Sequence, residues 1–247
     1  MKENQLFTRY EFKYFLNNKI SKQIENEAKH FMSHDDFAVN IPDNRYFVRS
    51  LYYEDNSFSN FFEKVDGIKS RRKFRIRTYG NSLKNNLPIF LEIKGRHLER
   101  TFKKRTSIDS KYIELFLNSE KNSKLLEIYP NNTIINDFVF DSIKKKIKPC
   151  VLIDYKRRPY INNFGLYFRL TFDSNIVSSK SKILFSNEKN STPLECRSGY
   201  TILEVKFNRS IPAWFHRIIQ SYSLTRRSIS KFVLGVCACK LEHETSE

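Results

Sequence analysis

Apolar and polar positions divide this chain into strands with one charged face and helices with one apolar face. Leu6 to Leu16 alternates: Arg9, Glu11 and Lys13 fall on one side, Tyr10, Phe12 and Tyr14 on the other, the period of a strand. Asn17 or Asn18 caps a helix to about Met32, carried by Ile20, Ile24, Ala28 and Phe31. His34 to Pro42 reads as a loop and Tyr46 to Tyr53 as a strand. A short helix follows from Phe58 to Asp66, stopped at Gly67. Arg71 to Tyr79 is a further strand: Arg71, Lys73, Arg75, Arg77 and Tyr79 share one face, Arg72, Phe74, Ile76 and Thr78 the other. Gly80-Asn81 and the Asn-rich loop to Pro88 reverse the chain. Ile89 to Arg96 sets Phe90, Glu92, Lys94 and Arg96 against Leu91 and Ile93; Glu99 to Thr106 sets Thr101, Lys103 and Arg105 against Phe102.

From Asp109 to Lys148 the period is helical, broken at Pro130-Asn131-Asn132 and stopped at Pro149. Strands return at Val151 to Arg158, Gly165 to Ser174 and Asn175 to Phe185, then a polar loop from Ser186 to Pro193. Tyr200 to Asn208 places Glu204 and Lys206 opposite Leu203, Val205 and Phe207. Pro212 opens a helix to about Tyr222, and Thr225 to Leu241 forms the last helix.

Composition adds a partner. Forty-four Lys and Arg against 27 Asp and Glu leave +17 over 247 residues, which calls for an anionic partner such as nucleic acid, a membrane surface, a nucleotide or polyphosphate. No linker, low-complexity tract or fixed-period repeat divides the chain, so residues 1–247 are expected to form one domain. The start, Met1 to Tyr14, carries no apolar signal segment, and the longest apolar run, near Phe232 to Cys239, is far short of a membrane span. Cys150, Cys196, Cys237 and Cys239 form no CxxC pair and are expected to be reduced thiols in a cytoplasmic protein. The five histidines form no HxH or HxxxH pattern, and there is no Walker-type glycine loop.

The charged strand faces leave two readings. One is a half-exposed sheet with a solvated basic surface. The other is a closed barrel whose charged faces line a wet tunnel. Glutamate stands two residues before a lysine three times, at Glu11/Lys13, Glu92/Lys94 and Glu204/Lys206. Against these acids stand Arg9, Lys13, Arg75, Arg77, Lys94, Lys103, Arg105, Arg157, Arg169 and Lys206. A triphosphate with a divalent metal suits both sets of charges.

The segments Arg9-Tyr-Glu-Phe-Lys13-Tyr, Ser50-Leu-Tyr-Tyr53, Arg75-Ile-Arg77, Glu92-Ile-Lys94, Lys103-Lys-Arg105, Tyr155-Lys-Arg157-Arg-Pro-Tyr160, Arg169-Leu-Thr-Phe-Asp173, Leu203-Glu204-Val-Lys206 and Ser230-Lys231-Phe232 resemble, in order, the VTC (vacuolar transporter chaperone) domain. This is the polyphosphate-polymerase branch of the triphosphate tunnel metalloenzymes, in the CYTH-like superfamily. The likeness covers about Leu6 to Val236. No motif is specific alone; the ordered set on strands is. It implies an α+β fold, a closed antiparallel β-barrel with helices packed outside. It also implies ATP and polyphosphate as substrates, and a divalent ion, manganese or else magnesium.

Carried over by position, Lys13, Arg75, Arg77, Lys94, Lys103, Arg157 and Arg169 bind phosphates, with Lys231 completing the catalytic set. Arg105, Tyr155, Lys206 and Ser230 contact substrate, and Glu204, Glu92 and Glu11 serve the metal. Phosphoryl transfer needs little beyond alignment and charge neutralisation, and the terminal phosphate of the chain is itself the nucleophile. Hydrolytic relatives begin with Glu-x-Glu-x-Lys, whereas this chain has Arg9-x-Glu11-x-Lys13, a cation in place of a carboxylate. Ser228 stands where some relatives carry lysine.

Each residue also has a plainer role. The glutamates can simply neutralise neighbouring lysines, Tyr155 and Tyr160 can be core aromatics, and Ser230 a helix-surface serine. Arg71, Arg72, Lys73 and Lys144-Lys145-Lys146 are expected to be solvated charge. Three functions remain: an ATP-dependent polyphosphate polymerase, a tripolyphosphate or nucleoside-triphosphate hydrolase, and a non-catalytic polyphosphate binder or sensor. No nucleic-acid module is recognisable.

Overall fold

The structure, a computed structural model, describes residues 10–82, 87–98, 100–162, 165, 167–185 and 192–246. Its strands are β1 (Tyr10–Asn17), β2 (Met32–His34), β3 (Tyr46–Glu54), β4 (Ser70–Thr78), β5 (Ile89–His97), β6 (Arg100–Ile108), β7 (Lys148–Asn162), β8 (Phe168–Lys180), β9 (Leu194–Glu195) and β10 (Tyr200–Phe207). Its α-helices are α1 (Asn18–Ala28), α2 (Asp36–Val39), α3 (Ser59–Val65), α4 (Ile113–Leu117), α5 (Leu125–Ile128), α6 (Thr133–Lys144), α7 (Ala213–Ser221) and α8 (Lys231–Ala238). The strands hydrogen-bond in the order β1-β10-β8-β7-β3-β4-β5-β6, with β2 on β7 and β9 on β8. The α+β class and the antiparallel sheet are as expected. Among the described residues the hydrogen-bonded path is open between β1 and β6, so closure of the expected barrel is not made by backbone pairing.

The chain divides into two compact units. One comprises Met1–Tyr46, Tyr155–Asn175 and Arg197–Ile229; the other comprises Phe47–Asp154, Ile176–Cys196 and Ser230–Glu247. In the first, Asn17 caps α1 by accepting from the Ile20 amide at 2.9 Å, the cap expected of that asparagine. Ile24 and Ala28 of α1 and Phe215 and Ile218 of α7 then bury against Leu170, Phe172, Leu203 and Val205 of the sheet. In the second, Asn132 caps α6 through the amides of Ile134 and Ile135. Ile135, Phe138 and Val139 of α6 join Phe74, Ile76, Leu91 and Ile93 in a core of fully buried side chains. Arg75 and Arg77 of β4 and Glu92 and Lys94 of β5 thereby fall on the face opposite this core, whereas Arg72 shares the face of Phe74 and Ile76.

Four expectations need correction. The stretch from His34 to Pro42 is not a plain loop: Met32–His34 pairs with β7, and Asp35 caps the single turn of α2 through the Phe37 amide at 3.1 Å. Gly165 to Phe185 is not two strands; β8 runs unbroken from Phe168 to Lys180 through Asn175, which takes φ +52°. The last helix begins only at Lys231, because the segment before it is pinned along β1. There the Arg227 amide donates to the Lys13 carbonyl at 2.9 Å, and the Lys13 ammonium to the Ile229 carbonyl at 3.1 Å. Arg72 is not solvated: its guanidinium grips Asp141 of α6 at 2.6 and 2.9 Å and reaches Asp137 at 3.4 Å. The segment before Tyr10, with Arg9, lies outside the described residues, as do 83–86 of the Asn-rich loop, Glu99 and 186–191.

One cap has no local sequence signal. Phe58 precedes α3 in the left-handed region, at φ +52°, and supplies no side-chain bond. The first amides of α3 are met instead by Glu54 at the end of β3, which accepts from the Asn60 and Phe61 amides at 3.1 and 3.0 Å. Burial pushes this carboxyl up to about 7, against the pull of those amides.

Candidate phosphate-binding sites

In the second unit the antiparallel registers stack the charged residues into rungs. Arg75 lies opposite both Tyr52 and Glu92, and Glu92 opposite Arg105. Arg77 lies opposite Ser50 and Phe90. Lys73 lies opposite Lys94, and Lys94 opposite Lys103. Glu92 is fully buried and sits at the centre of charge. Its Oε2 accepts from Arg75 Nε at 2.8 Å and Nη2 lies 2.6 Å away; Lys103 Nζ is 2.6 Å from Oε1. Burial alone would raise this carboxyl, but Arg75, Arg77 and Lys103 outweigh it and hold it at about 2.

The same crowd acts on its neighbours. Burial, helped by the charges of Arg75 and Arg77, brings the Lys103 ammonium down to about 8 despite Glu92. Burial would raise the Tyr52 phenol, yet Arg75, Arg77 and Lys231 leave it lowered. Arg75 Nη1 donates to the Tyr52 hydroxyl at 2.8 Å, and Arg77 Nε to Ser50 Oγ at 3.0 Å. Lys231 is buried at the start of α8, and the Ser230 hydroxyl accepts from the Val233 amide at 3.4 Å as the cap of that helix. The Phe232 ring lies tilted 5.2 Å from that of Tyr52 and receives the Lys73 ammonium 4.5 Å from its ring centre. Arg105 lies 4.6 Å above Phe90.

In the first unit the rungs are Glu11–Lys206–Arg169 and Lys13–Glu204–Thr171, across β1, β10 and β8. Lys13 Nζ stands 3.0 Å from Glu11 and 3.6 Å from Glu204. Glu204 also meets Arg157 at 3.2 Å and Lys206 at 3.7 Å. Arg157 is committed elsewhere: its Nε and Nη2 each donate to fully buried Asp173 at 2.6 Å. Burial would lower this guanidinium, but Asp173, Tyr155 and Glu204 hold it well above its usual value. The buried Tyr155 ring lies 5.4 Å from the Arg157 guanidinium. Burial lowers the Lys206 ammonium. Arg169 pairs with Asp35 at 3.1 Å.

The expected site residues thus gather into two groups. Lys13, Tyr155, Arg157, Arg169, Lys206, Glu11 and Glu204 belong to the first unit; Arg75, Arg77, Glu92, Lys94, Lys103, Arg105, Ser230 and Lys231 belong to the second. Sequence reasoning had not given roles to Asp173, Asp35, Tyr52 or Ser50. Asp173 carried a signal: it shares a strand face with Arg169 at i, i+4 and closes the Arg169-Leu-Thr-Phe-Asp173 segment. Asp35 carried none.

Among the described residues no group of three His, Cys, Asp or Glu comes together to hold a metal. Glu92 is engaged by cations on both oxygens. Glu11 and Glu204 share one lysine, and Glu204 is held at longer distances. Two hard carboxylates without nitrogen or sulfur partners fit magnesium or manganese, which keep waters and take further ligands from substrate phosphates.

A family model for the VTC domain matches residues 8–240. No curated protein sequence matches the chain. Among solved structures, an adenylate cyclase candidate from Bacillus halodurans superposes with a TM-score of 0.52 at 13% identity, covering 90% of this chain and 95% of its own. An adenylyl cyclase candidate from Hippeastrum, described as having a dominant triphosphatase activity, gives 0.50 at 12% identity over 93% and 97%. These likenesses establish a shared fold. No helix among the described residues is long and apolar enough to cross a membrane.

Proposed function

The chain belongs to the VTC domain family, and from that premise we propose that it is an ATP-dependent polyphosphate polymerase. It transfers the γ-phosphate of ATP to a growing polyphosphate chain and releases ADP. Residues 1–247 act as one functional domain in the cytoplasm, in the cationic tunnel that the family implies. The observation that carries the proposal is the rung Lys73–Lys94–Lys103, three lysines directly opposite one another on adjacent strands. Glu92 meets Lys103 and the Phe232 ring meets Lys73, yet like charges so placed still repel, and a polyanion laid along the rung would offset that repulsion. Arg75 and Arg77 add guanidinium forks suited to phosphate oxygens, and Lys13, Arg157, Arg169 and Lys231 add further positive charge. Arg105, Tyr155, Lys206 and Ser230 contact the remaining substrate oxygens.

Glu204, with Glu11, would hold the divalent ion, manganese or else magnesium. Such an ion would act as a Lewis acid, withdrawing charge from the phosphates. Glu92, given to the metal on sequence grounds, serves better as the counter-charge that orders Arg75 and Lys103. Polymerase is favoured over hydrolase by Arg9 in place of the first carboxylate of hydrolytic relatives, since fewer acidic ligands and more cations suit holding a polyanion over activating water.

The test is incubation of the purified chain with ATP, Mn²⁺ and short polyphosphate. A ladder of longer chains with ADP is the expected result. Orthophosphate without chain growth would mean a hydrolase, and binding of polyphosphate without turnover a sensor.

A further inference from the structure

The C-terminal end of α6 belongs to neither charged cluster, yet it joins two features that seldom share a surface without a partner. Ile143 is 64% exposed, the most exposed large apolar side chain among the described residues, and Phe140, one turn earlier, is 56% exposed. The helix spends its other face, Ile135, Phe138 and Val139, on the core. Lys144, Lys145, Lys146 and Lys148 follow directly, and Lys144 Nζ lies 5.4 Å from the Phe140 ring centre. Lys146, at φ +52°, turns the chain out of the helix. The acids of this helix do not offset the lysines. Asp141 is buried in a two-point pair with Arg72, and Asp137 faces the same guanidinium.

We infer that this end of α6 is a docking surface for an anionic lipid bilayer. Phe140 and Ile143 enter the boundary between headgroups and acyl chains while the lysines meet lipid phosphates. Charge complementarity selects an anionic partner, and the exposed aromatic and aliphatic pair selects among anionic partners. A soluble polyphosphate or nucleic acid would satisfy the lysines and leave both apolar side chains in water, whereas a bilayer takes both together. With 12 residues, α6 is far too short to span, so the attachment is shallow and reversible.

The experiment is sedimentation of the full chain with phosphatidylcholine vesicles, with and without phosphatidylglycerol, at physiological salt. The chain is expected to bind the mixed vesicles at least about tenfold more tightly than phosphatidylcholine alone. Phe140→Ser with Ile143→Ser weakens that binding about tenfold, and Lys144→Gln with Lys145→Gln and Lys146→Gln by at least as much. Removing the same charge from α1 and its C-cap, with Lys19→Gln, Lys22→Gln and Lys29→Gln, changes it less than about twofold, since Ile20 and Ile24, the isoleucines of α1, are not exposed as Phe140 and Ile143 are. Equal losses from the two lysine triples would overturn the inference in favour of general attraction to a basic chain. An unaffected Phe140/Ile143 double variant would overturn it in favour of phosphate binding alone, as would the absence of vesicle binding. A second readout removes dependence on multiple variants: in Phe140→Trp, emission shifts to shorter wavelength on adding mixed vesicles, and an unchanged spectrum contradicts the insertion.

Discussion

Glu92 and Glu204 each open a Glu-x-Lys motif on a strand, but their surroundings set them apart. Glu92 is fully buried, with Arg75 and Lys103 both at 2.6 Å. Glu204 has three cations as well, but at 3.2, 3.6 and 3.7 Å. The difference comes from a neighbouring strand. Asp173 of β8 takes Arg157 in a two-point bond and so keeps the strongest cation from closing on Glu204. Beside Glu92, Arg75 and Arg77 donate to the neutral Tyr52 and Ser50 hydroxyls, which do not compete with the carboxylate as Asp173 does. In the proposed function one carboxylate is therefore a fixed counter-charge, and the other, held at longer distances, is the one assigned to the ion. A motif names a pair of residues; the partners across the sheet decide what the pair does.

The largest expected effects come from removing each charge in turn. Glu204→Gln should lower turnover about a hundredfold or more and raise the metal concentration needed for half-maximal rate, with little change in melting temperature. Glu92→Gln should do the reverse. It breaks a buried charge network, at a cost of about 3–5 kcal/mol, which for a chain of this size lowers the melting temperature by roughly 6–15 °C while the metal requirement stays. Added tripolyphosphate should recover more of that loss than it adds to the parent. The sign with pH follows from the depressed carboxyl. The stabilisation from Glu92 is present above about 4.5 and is lost as pH falls toward about 2, so the stability gap between parent and variant closes over that range. Calorimetry and metal titration of the two variants check this, and exchanged phenotypes would break the comparison.

A smaller effect tests the cause. Asp173→Asn frees the Arg157 guanidinium to close on Glu204, so turnover should fall about 10- to 100-fold with a matching rise in the apparent metal constant. A loss of stability with unchanged metal dependence would make Asp173 a purely structural partner. The smallest effect lies in Lys103, whose ammonium titrates at about 8. Tripolyphosphate affinity, measured by calorimetry, should weaken as pH rises through that value, because the charge that meets phosphate is being lost. In Lys103→Arg the slope should flatten, since guanidinium stays charged.

Much of this was legible from the chain alone. Period-2 alternation located nearly every long strand and separated Arg75 and Arg77 from Phe74 and Ile76, since a sheet with one buried face leaves no other arrangement. The charged groups of both units follow from that parity and from the family likeness. What was not legible depends on partners distant in sequence. Arg72 looked like surface charge because Asp141, its partner, lies on a helix two strands further along the chain. The start of α8 looked too early because the segment before it is tied to β1 by the Arg227 amide, which no propensity encodes. Glu54 caps α3 from the preceding strand, and the binding of Arg157 by Asp173 appears only when β7 and β8 are brought side by side.

The fate of the γ-phosphoryl group tests the central claim most directly. With γ-labelled ATP, Mn²⁺ and an unlabelled short polyphosphate primer, label should appear in chains longer than the primer, one labelled unit for each ADP released. Label recovered as orthophosphate, with the primer unchanged in length, would contradict it.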